Sequence, residues 1–194
     1  MGTNFTALYA YYLASPVNWL IVLFPQKYII EIMNAIIIIK ASLASVAFTY
    51  YISRHFNNKS CAIALFGMFY GMSGFIAAYS WNIMWLDCIV MLPLVMLGLE
   101  RLVNENKCLL YCISLGFCIY TNYYIAIMIC ISVVLYFVVL MFVYNRNRSF
   151  KIYLKKFFNF CLYSLLAGGL AACLLLPVMY AFSPVSYTHL RAHE

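Results

Sequence analysis

The chain has 194 residues, 67% hydrophobic and only 9% charged, with a mean hydropathy of +0.94. Apolar runs of about 18 residues or more are long enough to cross the hydrocarbon core of a bilayer, and here they follow one another end to end, which excludes a separate soluble domain. The net charge of +7 does not point to nucleic acid, because nine of the twelve basic residues fall in three short clusters: Arg54 with Lys59, Arg101 with Lys107, and Arg146, Arg148, Lys151, Lys155 and Lys156.

In chain order, residues 5–24 are long enough to span, but Ser15-Pro16 breaks the helix near its middle. Tyr9, Tyr11, Tyr12 and Trp19 suit a membrane interface. Two short helices on the outer face are preferred to an additional span. Short loops rich in Lys and Arg stay cytoplasmic, so Ile29–Ser53 runs inward to the Arg54–Lys59 loop. Ser60–Tyr79 returns outward, and Met84–Leu102 comes back to the Arg101–Lys107 cluster. Cys108–Tyr144 is too long for one span and has both ends cytoplasmic, so it crosses twice and turns at Tyr120-Thr121-Asn122-Tyr123. Phe157–Phe182 then exits. The expectation is an all-α, polytopic transmembrane bundle of about six spans, with external loops at 80–86 and 120–123.

Residues 1–183 read as one transmembrane domain. Residues 184–194 change character abruptly and read as a non-native tail, so its His189 and His193, spaced as a zinc-binding pair, are set aside. Met72-Ser73-Gly74, and later Gly168-Gly169 with Ala167, Ala171 and Ala172, offer small residues for close helix packing. Pro93 is expected to kink its span, which neighbouring membrane helices accommodate. The eight cysteines show no CxxC pair. Cys108 and Cys112, four apart, resemble a metal half-site, but buried cysteine more commonly serves as a small apolar residue.

Ionisable groups inside a membrane are costly and are functional candidates for that reason. Asp87, the one aspartate, lies just inside a span after Trp81-Asn82-Ile83-Met84-Trp85-Leu86. It reads either as a carboxylate facing an external cavity, as base, metal ligand or sugar-orienting group, or as an acid in the N-cap or first turn, favoured by the helix dipole. Trp81 and Trp85 are four apart, so a helical turn would put them on one face, for sugar stacking or as interfacial anchors. Lys40 interrupts an isoleucine run, at about 2.5–3.5 kcal/mol for a mid-span lysine on insertion scales. Its expected partner is Asp87 or the phosphate of a lipid carrier; a structural ion pair or snorkelling is the plainer reading. Glu31 lies near the outer end of the same helix, as an interfacial carboxylate or a metal ligand. Glu100, beside Arg101, reads as structural. Asn122 and Tyr123 either contact a substrate or simply form the outer turn. One Asp and one Glu near the outer face do not define a divalent-metal site, and no cofactor is assigned. No soluble-hydrolase or nucleotide-cofactor fingerprint occurs.

The order Asn4-Phe5…Ala7-Leu8…Tyr11-Tyr12-Leu13-Ala14-Ser15-Pro16…Asn18, Ser73-Gly74-Phe75, Trp81 to Asp87, and Leu97-Gly98-Leu99-Glu100-Arg101-Leu102 resembles the YfhO family. These are multispan bacterial membrane proteins regarded as GT-C-type glycosyltransferases, and the resemblance covers residues 2–182. It implies a hexosyltransferase in the bacterial cell membrane, working on the extracytoplasmic face. The donor would be a polyprenyl-phosphate sugar, and the acceptor a surface polymer such as teichoic acid. Lys40 falls where the family carries a lysine, and Asp87 maps to a motif acid. Trp81, Asn82, Trp85, Asn122 and Tyr123 would contact substrate. Family members carry an acidic external loop before the Asn-Phe motif, and this chain begins after it. The chain therefore reads as a fragment lacking its main base, first span and C-terminal half, and is expected to be inactive alone. The rival classes are a lipid-linked sugar flippase or transporter, which often shows internal repeats not evident here, and a non-catalytic membrane partner protein.

Overall fold

The computed structural model describes residues 9–145 and 150–180, without the side chains of residues 144 and 145. The Asn4-Phe5 motif, Arg146, Arg148 and the 184–194 tail lie outside the described residues. All regular elements among the described residues are helical. A π-helical turn (Tyr9–Leu13) and two 3-10 turns (Asn18–Leu23 and Gln26–Tyr28) lead into α1 (Ile29–His55). Then come α2 (Cys61–Gly71), α3 (Gly74–Tyr79), α4 (Ile83–Glu105), α5 (Leu109–Thr121), α6 (Tyr123–Asn145) and α7 (Phe150–Leu170). A last helix, α8 (Ala172–Tyr180), is bent 74° from α7.

Four segments are long and apolar enough to cross a membrane: Gln26–His55, Cys61–Tyr79, Ile83–Glu105 and Tyr123–Val143. The bent pair α7–α8 makes a fifth if it is one span. The helices follow one another in the expected order, with two differences. Helix α5 has 13 residues, about 20 Å at 1.5 Å each, so it reaches only part of the way across a core about 30 Å thick. The final element is not the straight span Phe157–Phe182. It starts at Phe150 and turns sharply at Ala171, just after Gly168-Gly169, and glycine weakens a helix. Residues 9–24 form short turns rather than one continuous helix, so no additional span arises there.

Helix α4 is the hub, with 67% of its apolar window buried against 17% for α1. It packs on α1, α5 and α6, while α5 packs on α7. The main core joins Val95, Leu99 and Val103 of α4 to Tyr111, Leu115 and Cys118 of α5, Ile129, Val133 and Phe137 of α6, and Phe160 of α7. The apolar outer sides of α1, α2 and α6 are left facing lipid.

Close packing falls on different glycines from those expected. A Cβ on Gly74, Gly168 or Gly169 would meet nothing within 4 Å. On Gly67 it would lie 1.8 Å from Thr49 Oγ1, on Gly71 1.9 Å from Ser45 Oγ, and on Gly98 2.6 Å from the Tyr111 backbone nitrogen. The Gly67-x-x-x-Gly71 pair thus seats α2 directly on α1, by the small-residue logic of membrane helices.

Pro93 lies inside α4 and leaves the helix continuous. A proline removes the N–H that would bond the carbonyl four residues earlier, here Ile89. The Tyr70 hydroxyl from α2 donates to that carbonyl at 2.8 Å, so the group freed by the proline is satisfied across the helix interface.

Candidate functional site

Lys40 and Asp87 meet. Lys40 comes from the middle of α1 and Asp87 from the second turn of α4, and their side chains are 1% and 5% exposed. The Lys40 ammonium has three protons to donate. They go to Asn18 Oδ1 at 2.7 Å, Asp87 Oδ2 at 2.9 Å and the Ile83 carbonyl at 3.0 Å. Burying one such charge alone would cost several kcal/mol, about the effective penalty per ion in real proteins; burying the two together with these hydrogen bonds offsets most of it. Asp87 neither caps α4 nor sits in its first turn, so the dipole reading of this residue does not hold. Its partner is the cation of the neighbouring helix.

Above the pair opens a cleft of about 460 Å³, lined by Tyr12, Leu13, Asn18, Trp19, Ile21, Val22, Met33, Trp81, Asn82, Ile83 and Met84. Asn18 and Ile83 both line it and both bond Lys40, so the ion pair lies one hydrogen bond beneath its floor. The walls are mainly aromatic and aliphatic. Asn82 is 5% exposed, and its Nδ2 is a buried donor with no partner, as is the Ser15 hydroxyl. A buried unpaired donor costs about 1–3 kcal/mol, and Asn82 is one of the residues that line the cleft.

Trp81 and Trp85 do not share a face. Helix α4 begins at Ile83, so Trp81 precedes it; its ring is 71% exposed on the cleft wall, with its indole nitrogen donating to the Ala78 carbonyl. Trp85 turns into the bundle, donates to the Tyr11 hydroxyl at 3.2 Å and lies 5.7 Å from the Tyr79 ring and 6.2 Å from that of Tyr124.

Asn122 and Tyr123 do not line the cleft. Asn122 is fully buried. Its Oδ1 accepts from the Ile125 backbone at 2.9 Å, capping the first turn of α6, and its Nδ2 donates to the Tyr11 carbonyl. Tyr123 packs with Tyr9 and Tyr120 on the small cluster of Ala10, Ala14, Leu174 and Val178. These residues hold the strap of residues 9–24 on the outer end of the bundle, next to the cleft. Glu31 lies exposed in the first turn of α1, where the helix dipole favours an acid.

A second polar cluster carried no sequence signal. The Glu100 carboxylate accepts hydrogen bonds from the Tyr51 and Tyr136 hydroxyls and lies 2.7 Å from His55 Nδ1. It ties α1, α4 and α6 together towards the end of the bundle that carries the Arg54–Lys59 and Arg101–Lys107 loops.

The family model described as bacterial membrane protein YfhO matches residues 1–188. The chain belongs to the YfhO family. No curated protein and no solved structure matches it. As a YfhO-family chain with several membrane-length apolar helices, it is a multi-pass bacterial membrane protein in contact with the lipid bilayer. In this YfhO chain the Lys40–Asp87 pair and the cleft above it lie away from the Arg54–Lys59 and Arg101–Lys107 loops, towards the other end of the bundle.

Proposed function

We propose that the chain forms the outer-face donor site of a membrane glycosyltransferase, which moves a sugar from a polyprenyl phosphate to a surface polymer such as teichoic acid. The observation that carries this reading is a buried lysine–aspartate pair directly beneath an aromatic-walled cleft at the extracytoplasmic end. Isoprenoid carriers need an apolar path and a cation for the phosphate. Sugars need aromatic faces and a few placed hydrogen-bonding groups. Trp81, Trp19 and Tyr12 offer the faces, and Asn82 and Asn18 the polar groups.

In the reaction, an acceptor hydroxyl oxygen bonds to the anomeric carbon. The bond from that carbon to the phosphate oxygen breaks, and the lipid phosphate leaves with the electron pair. A nearby cation stabilises the charge that develops on the leaving group, and Lys40 takes that part. To reach the phosphate, Lys40 exchanges its Asn18 bond for one to the ligand. Asp87, whose Oδ2 is committed to Lys40, is a positioning residue that holds the ammonium at the cleft floor. The hydroxyl proton passes to a carboxylate base, the part that the family resemblance gives to an acidic external loop. Trp85 acts through Tyr11, holding the strap.

The test is transfer of labelled sugar from a polyprenyl-phosphate donor by the full-length protein in vesicles. Asp87→Asn and Lys40→Met are expected to abolish or strongly reduce transfer with the protein still inserted, and Asp87→Glu to restore part of it. Trp81→Ala is expected to act mainly on KM. Transfer unchanged in Asp87→Asn would remove Asp87 from the mechanism, and transfer unchanged in Lys40→Met would remove the cation as well. Movement of intact donor lipid across the bilayer without transfer would make the protein a flippase.

A further inference from the structure

The cytoplasmic end of the bundle carries two arginines, Arg54 and Arg101, that form no ion pair among the described residues, although Glu105, paired with Lys107, also feels the charge of Arg101. The protein has five acidic residues, four of them among the described residues. Asp87 is paired with Lys40 and Glu105 with Lys107, while Glu31 lies at the opposite end of α1. Glu100, adjacent in sequence to Arg101, turns inward, 7% exposed, to Tyr51, Tyr136 and His55. Arg54 and Arg101 therefore have no carboxylate within ion-pair distance among the described residues. Both nevertheless converge on one side chain. Arg101 Nη2 donates to the Tyr50 hydroxyl at 3.4 Å, and the Arg54 guanidinium lies 5.3 Å from the centre of the Tyr50 ring.

A second observation indicates what fits there. Ile39, Leu43, Val46 and Tyr50 are 51%, 48%, 64% and 39% exposed. Their spacing of four, three and four puts them on one face of α1. An uncovered apolar stripe thus runs up the helix from the arginine pair.

We propose that Arg54 and Arg101 bind the phosphate of an anionic phospholipid of the cytoplasmic leaflet, with an acyl chain along Ile39, Leu43 and Val46. Guanidinium groups match phosphate as paired donors better than ammonium groups do. The last turn of α1 sits at the level of the loops, where lipid headgroups lie. Free phosphate would satisfy the arginines but would leave the stripe unused, so the lipid is the favoured source. The site is at the other end of the bundle from the donor cleft and does not depend on the proposed reaction.

The experiment is native mass spectrometry of the purified full chain, equilibrated with mixed phosphatidylglycerol and phosphatidylethanolamine, with and without inorganic phosphate. Phosphatidylglycerol is expected to be retained selectively and to survive added phosphate. Each arginine changed to glutamine should weaken retention roughly fivefold, the value of about one basic residue near an anionic surface. The charge-matched control Lys151→Gln with Lys155→Gln, on α7, should leave it nearly unchanged. Arg54→Lys with Arg101→Lys keeps the charge and the fold but loses the forked geometry, and should still lower retention. Equal losses in Lys151→Gln with Lys155→Gln and in Arg54→Gln with Arg101→Gln, which removes the same charge, would overturn the proposal in favour of general surface charge. Displacement of the lipid by inorganic phosphate would overturn it in favour of a free-anion site.

Discussion

Replacing Lys40 by methionine removes the cation from a site where the facing carboxylate is 5% exposed. Three hydrogen bonds disappear with it, and the Asp87 carboxylate is left buried without its partner. Removing one member of a buried pair costs about 3–5 kcal/mol. On the scaling of soluble proteins of this size, that lowers Tm by roughly 6–20 °C. Asp87→Asn should cost less, about 1–3 kcal/mol, because the amide oxygen and the Ile83 and Asn18 oxygens still accept from Lys40. The double variant Lys40→Met with Asp87→Leu fills the site with apolar atoms, and such replacements of buried pairs are often neutral or stabilising. It should therefore be far more stable than the sum of the losses from Lys40→Met alone and Asp87→Leu alone. The assay is thermal unfolding in detergent followed by the fluorescence of the three tryptophans. Effects that add within about 0.5 kcal/mol would show that the two residues do not interact and would refute the site geometry.

Other expectations concern the scaffold. Tyr70→Phe leaves the Ile89 carbonyl unpaired and should cost about 1–3 kcal/mol; adding Pro93→Ala restores an N–H to that carbonyl, so the pair of changes should recover most of the loss in the same unfolding assay. Gly71→Val forces a side chain into Ser45 and the Ala41 carbonyl, and should lower folded yield on size exclusion, while Gly74→Ala, with open space around it, should not. Asn122→Ala removes the α6 cap and should cost about 1 kcal/mol, with faster proteolysis of the 9–24 strap because Tyr11 also loses a contact.

The membrane class, the order of the helices and the turn at Asn122 were readable because hydropathy and turn-forming residues are local, additive signals. Lys40 and Asp87 were readable because a charge in an apolar run stands out and demands a partner. What escaped was set by three-dimensional pairing. Glu100 sits beside Arg101 in sequence yet bonds Tyr51, Tyr136 and His55, and nothing in the sequence distinguishes those tyrosines from the other sixteen. A shared face for Trp81 and Trp85 requires one helix through both, and the helix begins only at Ile83. The glycine contacts went to Gly67 and Gly71 because the opposing residues, Ser45 and Thr49 on α1, decide which small residues are used. The bend at Ala171 had a local cue in Gly168-Gly169, which read equally well as a packing motif.

The central claim is that the cleft above Lys40 and Asp87 receives a lipid-linked sugar. The most direct test is photo-crosslinking of the full-length protein in vesicles with a photoreactive polyprenyl-phosphate sugar, mapping the labelled peptides by mass spectrometry. The account predicts label on the strap from Tyr12 to Trp19 and on Trp81 to Met84, lost in Lys40→Met. Label confined to the apolar groove of Phe137, Met141, Tyr153 and Phe157 between α6 and α7, and indifferent to Lys40, would contradict it.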